Sequence, residues 1–269
     1  MRVAAVQMQC TADLGGNLTR AAELIDEAVT QHASLAVLPE LFASLGRGRA
    51  MCARAEPVDG PIVRWAQDQA RRHAIWLVAG SFVELDGDRL YNTAPLISPT
   101  GEVVATYRKI HLFDVDVEGA GSHESDVFAA GDEISSYVID DTLVGLTTCY
   151  DLRFPELFRI LALHGVRLVT MPSAFTAATG VAHWEPLVRA RAIENQFFLV
   201  APDQCGTSPD GIARHGHSLI VDAWGRVLAE AVDDETVIVA DVDLAEADRA
   251  RRSIPSLANR RPSVYDWPD

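Results

Sequence analysis

Lysine is almost missing from this chain: lysine and arginine together number 23, and Lys109 is the only lysine. Positive charge is scarce as well, with 38 Asp and Glu giving a net charge of −15 and a pI near 4.9. A field of that sign repels polyanions, which argues against nucleic acid and anionic membrane surfaces as partners. The four cysteines, Cys10, Cys52, Cys149 and Cys205, are scattered, without a CxxC pair or a Cys/His spacing of the zinc kind. A disulfide framework and a structural metal therefore lose support. No stretch approaches the ~18 uninterrupted apolar residues of a membrane span. The opening MRVAAVQMQCTADLGG lacks the apolar core of a signal peptide, because Gln7, Gln9 and Asp13 interrupt it, so a cytoplasmic protein is expected. A Pro/Ser-rich linker and internal repeats are also missing.

What is present is the composition of a folded globular chain: 269 residues, 48% apolar and 23% charged, enough to bury a sizeable core. Short β-type runs predict strands at 2–8, 35–40, 75–85, 94–99, 102–113, 136–140, 143–150, 167–175, 197–205, 217–230 and 236–244, and several of them are continuous and apolar, as in strands buried on both faces. Helical periodicity lies between them, at 17–33, 62–74, 155–165 and 182–195. Pro61 and Pro155 stand at plausible first helical positions, and Gly165 closes the third helix. Alternating strand and helix, with hairpin signals at Asp86-Gly87 and Trp224-Gly225, predict one α/β domain over 1–245. Residues 246–269, rich in arginine and proline and carrying Tyr265 and Trp267, read as an extended arm suited to docking on a second subunit.

Three residues at strand ends attract attention. Cys149 follows the run LVGLTT and precedes a helix opening at Pro155, and such a junction exposes a thiol near a helix N-terminus, which favours the thiolate. A buried inert thiol is the usual fate of a free cysteine, so position alone leaves both readings open. The eight histidines would allow a Cys/His hydrolase, although none stands in a local motif for that chemistry. Glu40 ends LAVLPE, at the strand edge where α/β sheets place their sites. Lys109 ends VVATYRK, and a lone lysine in an arginine-rich chain suits a position needing a compact ammonium rather than a planar fork.

The strings LPE, YRKIHLFD and CYDLRFPE, in this order, resemble the three signature blocks of the nitrilase superfamily of carbon–nitrogen hydrolases. The likeness runs from AAVQM through GSFVE and MPSAF to AHWEPLVRARAIENQ and NRRPSVY, nearly the whole chain. The resemblance implies a four-layer α-β-β-α sandwich that pairs into a homodimer. It also implies Glu40 as general base, Lys109 as electrostatic stabiliser and Cys149 as nucleophile. Glu124 matches a further acidic residue of the family, with Glu118, Asp126 and Glu133 close by in the same loop. The backbone N–H of Tyr150 would share the oxyanion with Lys109. No metal or organic cofactor is required by such a thioester mechanism.

Within the superfamily the blocks most resemble the branch of omega-amidases and deaminated glutathione amidases, which act on amides of small carboxylated molecules. The RFPE and PSAF blocks put Arg153, Ser173 and Phe175 near the substrate, and Arg47, Arg49 and Arg54 are further candidates to face its carboxylate. A structural pairing of Arg153 with Glu156 is an equal alternative. His183, Trp184 and Glu185 are expected to open a helix and shape the pocket, Glu185 facing the helix dipole. Two other functions stay open: a nitrilase or N-carbamoyl hydrolase with the same triad, and a non-enzymatic interaction protein on the same scaffold.

Overall fold

A computed structural model describes residues 1–46, 51–118 and 121–264. Arg47 and Arg49, and Tyr265 and Trp267 of the expected arm, lie outside the described residues.

Two sheets stack face to face. In the first, β1 (Arg2–Gln7), β2 (Leu35–Val37) and β3 (Trp76–Val78) run parallel, and β15 (Thr236–Asp241) closes one edge antiparallel to β1. The long strand β5 (Arg89–Ile97) pairs with β3 and β4 (Phe82–Asp86) along one edge and with β6 (Val103–Arg108) along the other. The second sheet has the order β14-β13-β12-β11-β10-β9, built from β9 (Ser135–Ile139), β10 (Thr142–Leu146), β11 (Leu168–Thr170), β12 (Phe198–Ala201), β13 (Leu219–Val221) and β14 (Val227–Glu230). A two-stranded ribbon of β7 (Asp114–Val115) and β8 (Ser122–His123) stands apart from both.

Side-chain alternation explains the layering. Along β1, Val3 and Ala5 face the second sheet while Ala4 and Val6 face helices α1 (Leu14–Thr30) and α2 (Pro61–His73). Along β12, Phe198 and Val200 face the first sheet, and Leu199 and Ala201 face α3 (Pro155–Leu163) and α4 (Ala177–Asn195). Every apolar residue of these strands is buried on one face or the other, so the runs read as continuous rather than alternating. The result is the expected four-layer α-β-β-α sandwich with a core between the sheets, one under each helical layer, and a smaller cluster around Leu41, Val83 and Phe128.

Several expected boundaries move, each for a local reason. The run 75–85 splits into β3 and β4 because Gly80, at φ +54°, turns the chain where an added Cβ would meet the Pro39 carbonyl oxygen at 2.0 Å. α4 starts at Ala177 rather than 182, since Gly180 leaves room for the His215 ring and lets the helix continue. His183, Trp184 and Glu185 thus lie inside the helix; Glu185 pairs with Arg189 at 3.0 Å instead of facing the N-terminal dipole. Trp184 is a core residue that donates from its indole to the His217 carbonyl at 2.7 Å.

The segment expected to be an extended arm from 246 opens instead with a helix, α5 (Leu244–Ser253), so the 245/246 boundary falls inside an element. Asp243 caps it by accepting from the Ala245 amide at 3.1 Å. Ala247 and Ala250 close one end of the inter-sheet core, and Gln196 donates to the carbonyls of Ala250 and Ile254 at 3.1 and 2.8 Å. None of the described helices is long and apolar enough to cross a membrane.

Candidate active site

The parallel strands of both sheets end on the same edge, and the connections after them close a chamber of about 70 Å³. Glu40 arrives three residues after β2, directly behind Leu38-Pro39, Lys109 directly after β6, and Cys149 three residues after β10. All three line the chamber, together with Glu124, Phe113, Tyr150 and Phe175. The sheets are stitched together here: the Glu40 amide donates to the Ser173 carbonyl at 3.3 Å, and Gln204 donates to the Glu40 carbonyl at 2.6 Å.

Cys149 occupies a turn with φ +46°, a left-handed conformation that costs a non-glycine residue ~1–3 kcal/mol and persists only where its surroundings impose it. Those surroundings are visible. Its amide donates to the Pro172 carbonyl at 2.9 Å, and the buried Asp151 carboxylate accepts from the Thr148 amide at 2.8 Å and from the Tyr107 hydroxyl at 2.6 Å. This bracing aims the thiol into the chamber.

The charges form a chain. Lys109 Nζ, 1% exposed, donates to Glu40 Oε1 at 2.9 Å and to both Glu124 oxygens at 3.1 and 2.9 Å. Glu40 Oε1 also accepts from Asn92 at 2.8 Å, and its Oε2 accepts from the Ala174 amide at 3.0 Å. Glu124 accepts from the Phe113 amide at 2.8 Å. Burial alone would raise the Glu40 carboxyl, but the Lys109 ammonium and the bonds from Lys109, Cys149 and Asn92 hold it below the ordinary carboxylate value. Burial, with the Glu40 charge, raises Glu124 despite Lys109. Burial would lower Lys109, yet the Glu124 and Glu40 charges prevail and raise it well above its ordinary value, so it stays an ammonium.

The state of the thiol follows from its surroundings. Burial pushes Cys149 well above the ordinary thiol value and the Glu40 charge adds to the rise, against the pull of Lys109. Of the two readings left open by position, the neutral thiol prevails beside an ionised carboxylate, because desolvation and a neighbouring anion outweigh one short helix end. Such a pair suits proton transfer from sulfur to Glu40 during attack on a bound carbon.

Other expected residues divide. Glu124 is the loop acid that reaches Lys109, and Glu118, Asp126 and Glu133 do not line the chamber. Tyr150 and Phe175 form its wall. Ser173 does not: its hydroxyl donates to the Met171 carbonyl at 3.1 Å, and it serves through its backbone. Arg153 stands behind the wall, over the Phe175 ring at 5.3 Å and against His183 Nδ1 at 3.4 Å, without an ion pair to Glu156 among the described residues. No histidine lines the chamber among the described residues, which removes the Cys/His arrangement.

The structure adds residues that sequence reading passed over. Asn92, an amide inside the apolar strand RLYNTAPLI, was a visible oddity and proves to hold Glu40. Arg214 and Asp210 pair at 2.6 Å on the chamber wall, almost fully buried. Their only sequence signal is a turn at Asp210-Gly211 followed by an arginine.

Comparison with known proteins shows the family of the chain. The family model described as carbon-nitrogen hydrolase matches residues 2–252. The chain is 38% identical over 265 residues to the omega-amidase NIT2 of Mus musculus, covering 98% of this chain and 96% of that protein. It is 41% identical over 271 residues to the deaminated glutathione amidase of Homo sapiens, covering 98% and 83%. Among solved structures it resembles a variant of the amidase from Nesterenkonia sp. AN1 that shows covalent addition of the acetamide moiety of fluoroacetamide at the active site cysteine, with TM-score 0.82, 27% identity and coverage of 98% and 95%. A match of sequence and fold over nearly the whole chain has one reading: this chain belongs to the carbon–nitrogen hydrolase family.

Proposed function

We propose that the chain hydrolyses the amide bond of small carboxylated molecules through a cysteine thioester, with Glu40, Lys109 and Cys149 as the reacting triad. The observation that carries this reading is the convergence of an ionised carboxylate, an ammonium and a neutral thiol on one small, largely apolar chamber. Cys149 Sγ attacks the amide carbon while its proton passes to Glu40, and the carbonyl becomes an oxyanion beside Lys109 and the Tyr150 amide. An oxyanion donor in such a site supports the transition state by ~3–4 kcal/mol. The C–N bond then breaks as Glu40 gives its proton to the leaving nitrogen, and ammonia departs. Glu40 next takes a proton from water, whose oxygen attacks the thioester carbon. When the C–S bond breaks, that proton returns to sulfur and the acid leaves. Glu124 holds Lys109 in place from the other side.

The names of the relatives, omega-amidase and deaminated glutathione amidase, support an amide substrate. The covalent adduct on the active-site cysteine of the Nesterenkonia amidase supports the thioester route. The reading includes a homodimer formed through the α3/α4 layer, supported by the exposed apolar residues Ile160, Leu163 and Ile193 on those helices and Trp224 beside them.

Intact-protein mass and ammonia release, measured for wild type and Cys149→Ala on a panel of 2-oxo acid amides, test the proposal. Ammonia release with an acyl adduct that depends on Cys149 is expected. Turnover that survives loss of Cys149 would remove the nucleophile, and release only from nitriles or carbamoyl compounds would replace the amide.

A further inference from the structure

The connection from β12 to β13 bonds residues 173–177 with both of its arms. On the outgoing arm the Ser173 amide donates to the Pro202 carbonyl at 2.9 Å, and the Ser173 carbonyl accepts from the Gln204 amide at 3.1 Å. On the returning arm the His215 amide donates to the Phe175 carbonyl at 2.8 Å, and the Ala177 amide donates to the Ala213 carbonyl at 2.9 Å. The peptide between Ala174 and Phe175 has no backbone partner among the described residues, and side chains meet its two ends instead. Arg214 Nη1 donates to the Ala174 carbonyl at 2.9 Å, and Asp203 Oδ1 accepts from the Phe175 amide at 2.7 Å. A guanidinium at the oxygen and a carboxyl at the N–H fix the plane of that peptide.

Neither side chain has a part in the reaction so far. The remaining donors of Arg214 go to the Ser208 hydroxyl at 2.8 Å and to Asp210 at 2.6 Å. Asp203 is fully buried, and its Oδ2 has no partner among the described residues. Burial raises its carboxyl well above the ordinary carboxylate value, against the pull of the Phe175 amide and of Arg214, so it holds that amide as a neutral acid.

Ala174 bears on the reaction through its own N–H, which donates to Glu40 Oε2 at 3.0 Å. Oε1 of the same carboxylate already accepts from Lys109 at 2.9 Å and from Asn92 at 2.8 Å, which fills its lone pairs. Oε2 accepts from Ala174 alone among the described residues and keeps a lone pair for a proton. The Ala174 amide also favours the Cys149 thiolate, against the rise that burial imposes, so one N–H serves both ends of the path from sulfur to carboxylate.

We infer that Oε2 is the Glu40 atom that takes the thiol proton, and that Arg214 and Asp203 are positioning residues: by holding the Ala174–Phe175 peptide from both ends they keep the Ala174 N–H aimed at that oxygen. The inference rests on the proposed amidase reaction and deepens it. The S–H proton passes to Oε2 as sulfur bonds the amide carbon, the carbonyl π pair moves to oxygen, and the proton stays on Oε2 until the leaving nitrogen takes it.

The test measures kcat and KM for ammonia release from the monoamides of succinic, glutaric and 2-oxoglutaric acid in wild type, Arg214→Met, Arg214→Lys, Asp203→Leu and Asp203→Asn. Near-ultraviolet circular dichroism checks the fold of each variant. Arg214→Met and Asp203→Leu each release one end of the peptide, and kcat is expected to fall about 10-fold or more with KM little changed, as for a proton acceptor moved off line. Asp203→Asn keeps an oxygen for the Phe175 amide and should recover most of that loss. Arg214→Lys keeps the charge beside Asp210 but cannot span Asp210, Ser208 and Ala174 at once, so its kcat should lie between those of Arg214→Met and wild type. A rise in KM at unchanged kcat, or an Asp203→Asn no better than Asp203→Leu, overturns the inference and leaves the amidase reading standing. A wild-type kcat in Arg214→Lys does the same, and decides the matter where the other variants do not fold. Failure of the wild type to release ammonia from any of the three amides would remove the amidase reading and this inference with it.

Discussion

Lys109 is held between two carboxylates with 1% of its side chain exposed, a space with no room for a longer, planar group. Lys109→Arg should therefore lose at least ~10²-fold in kcat/KM, the scale of one missing oxyanion donor, even in the fraction that folds. Near-normal turnover in that variant would refute the role. In the proposed mechanism Glu40 acts on Cys149 in two opposed ways, accepting its proton during the reaction and suppressing the resting thiolate by its charge. Glu40→Gln removes the charge and leaves the pull of Lys109, so the thiol titrates lower and alkylation by iodoacetamide at mildly alkaline pH becomes faster. Amide turnover in the same variant falls by ~10²–10⁴-fold, as for loss of a general base. Alkylation slower than wild type at every pH would overturn this account. The three residues were legible because each directly follows a β-type run and one is the only lysine in the chain. Asn92 and Gln204 were not, because a polar residue in an apolar run carries no sign of which partner folding will bring to it. The protonation state of Cys149 was left open for a related reason: position near a helix end is written locally, whereas burial and the Glu40 charge come from residues far away in the chain.

At the scale of elements, the site depends on turns that leave no slack. Gly80 links β3 to β4 at φ +54°, and the Pro39 carbonyl directly behind it belongs to the residue before Glu40. Gly80→Ala would place a Cβ at 2.0 Å from that oxygen and impose a left-handed conformation on alanine, so the Pro39-Glu40 connection must shift. A loss of at least ~2 kcal/mol in stability is expected, together with reduced kcat/KM, because the proposed general base moves with its backbone. A wild-type denaturation midpoint would show that the turn relaxes without disturbing Pro39. Elements buried on both faces were readable from sequence as continuous apolar runs, and their existence survived even where boundaries moved. The elements misread are those whose packing surface is small. α5 presents only Ala247 and Ala250 to the core amid arginines, so its sequence looks like a solvated arm. The first turn of α4 carries Gly180, which reads as a helix breaker until the His215 ring is seen against it.

The whole molecule is asymmetric in a way that a lone sandwich does not require. Both helical layers cover a sheet, but α1 and α2 leave no large hydrophobic side chain exposed, while α3 exposes Ile160 and Leu163 and α4 exposes Val181 and Ile193. Trp224, 46% exposed, adjoins Ile193 across Gly225, where even a Cβ would touch the isoleucine at 2.4 Å. Scattered apolar residues on a surface are ordinary, but concentration on one layer marks an interaction face. In the proposed homodimer two copies cover this face mutually, so that each contributes the same patch, as a two-fold interface requires. Sedimentation of the wild type should then give a dimer with a concentration-dependent melting temperature, since association stabilises only the folded chain. Ile193→Asp should yield monomers, because a carboxylate in the centre of a desolvated patch cannot be hydrated there without parting the subunits. The monomer should also melt lower than the dimer. A monomeric wild type at assay concentrations would separate the site, which each sandwich completes from its own two sheets, from any need for a second copy.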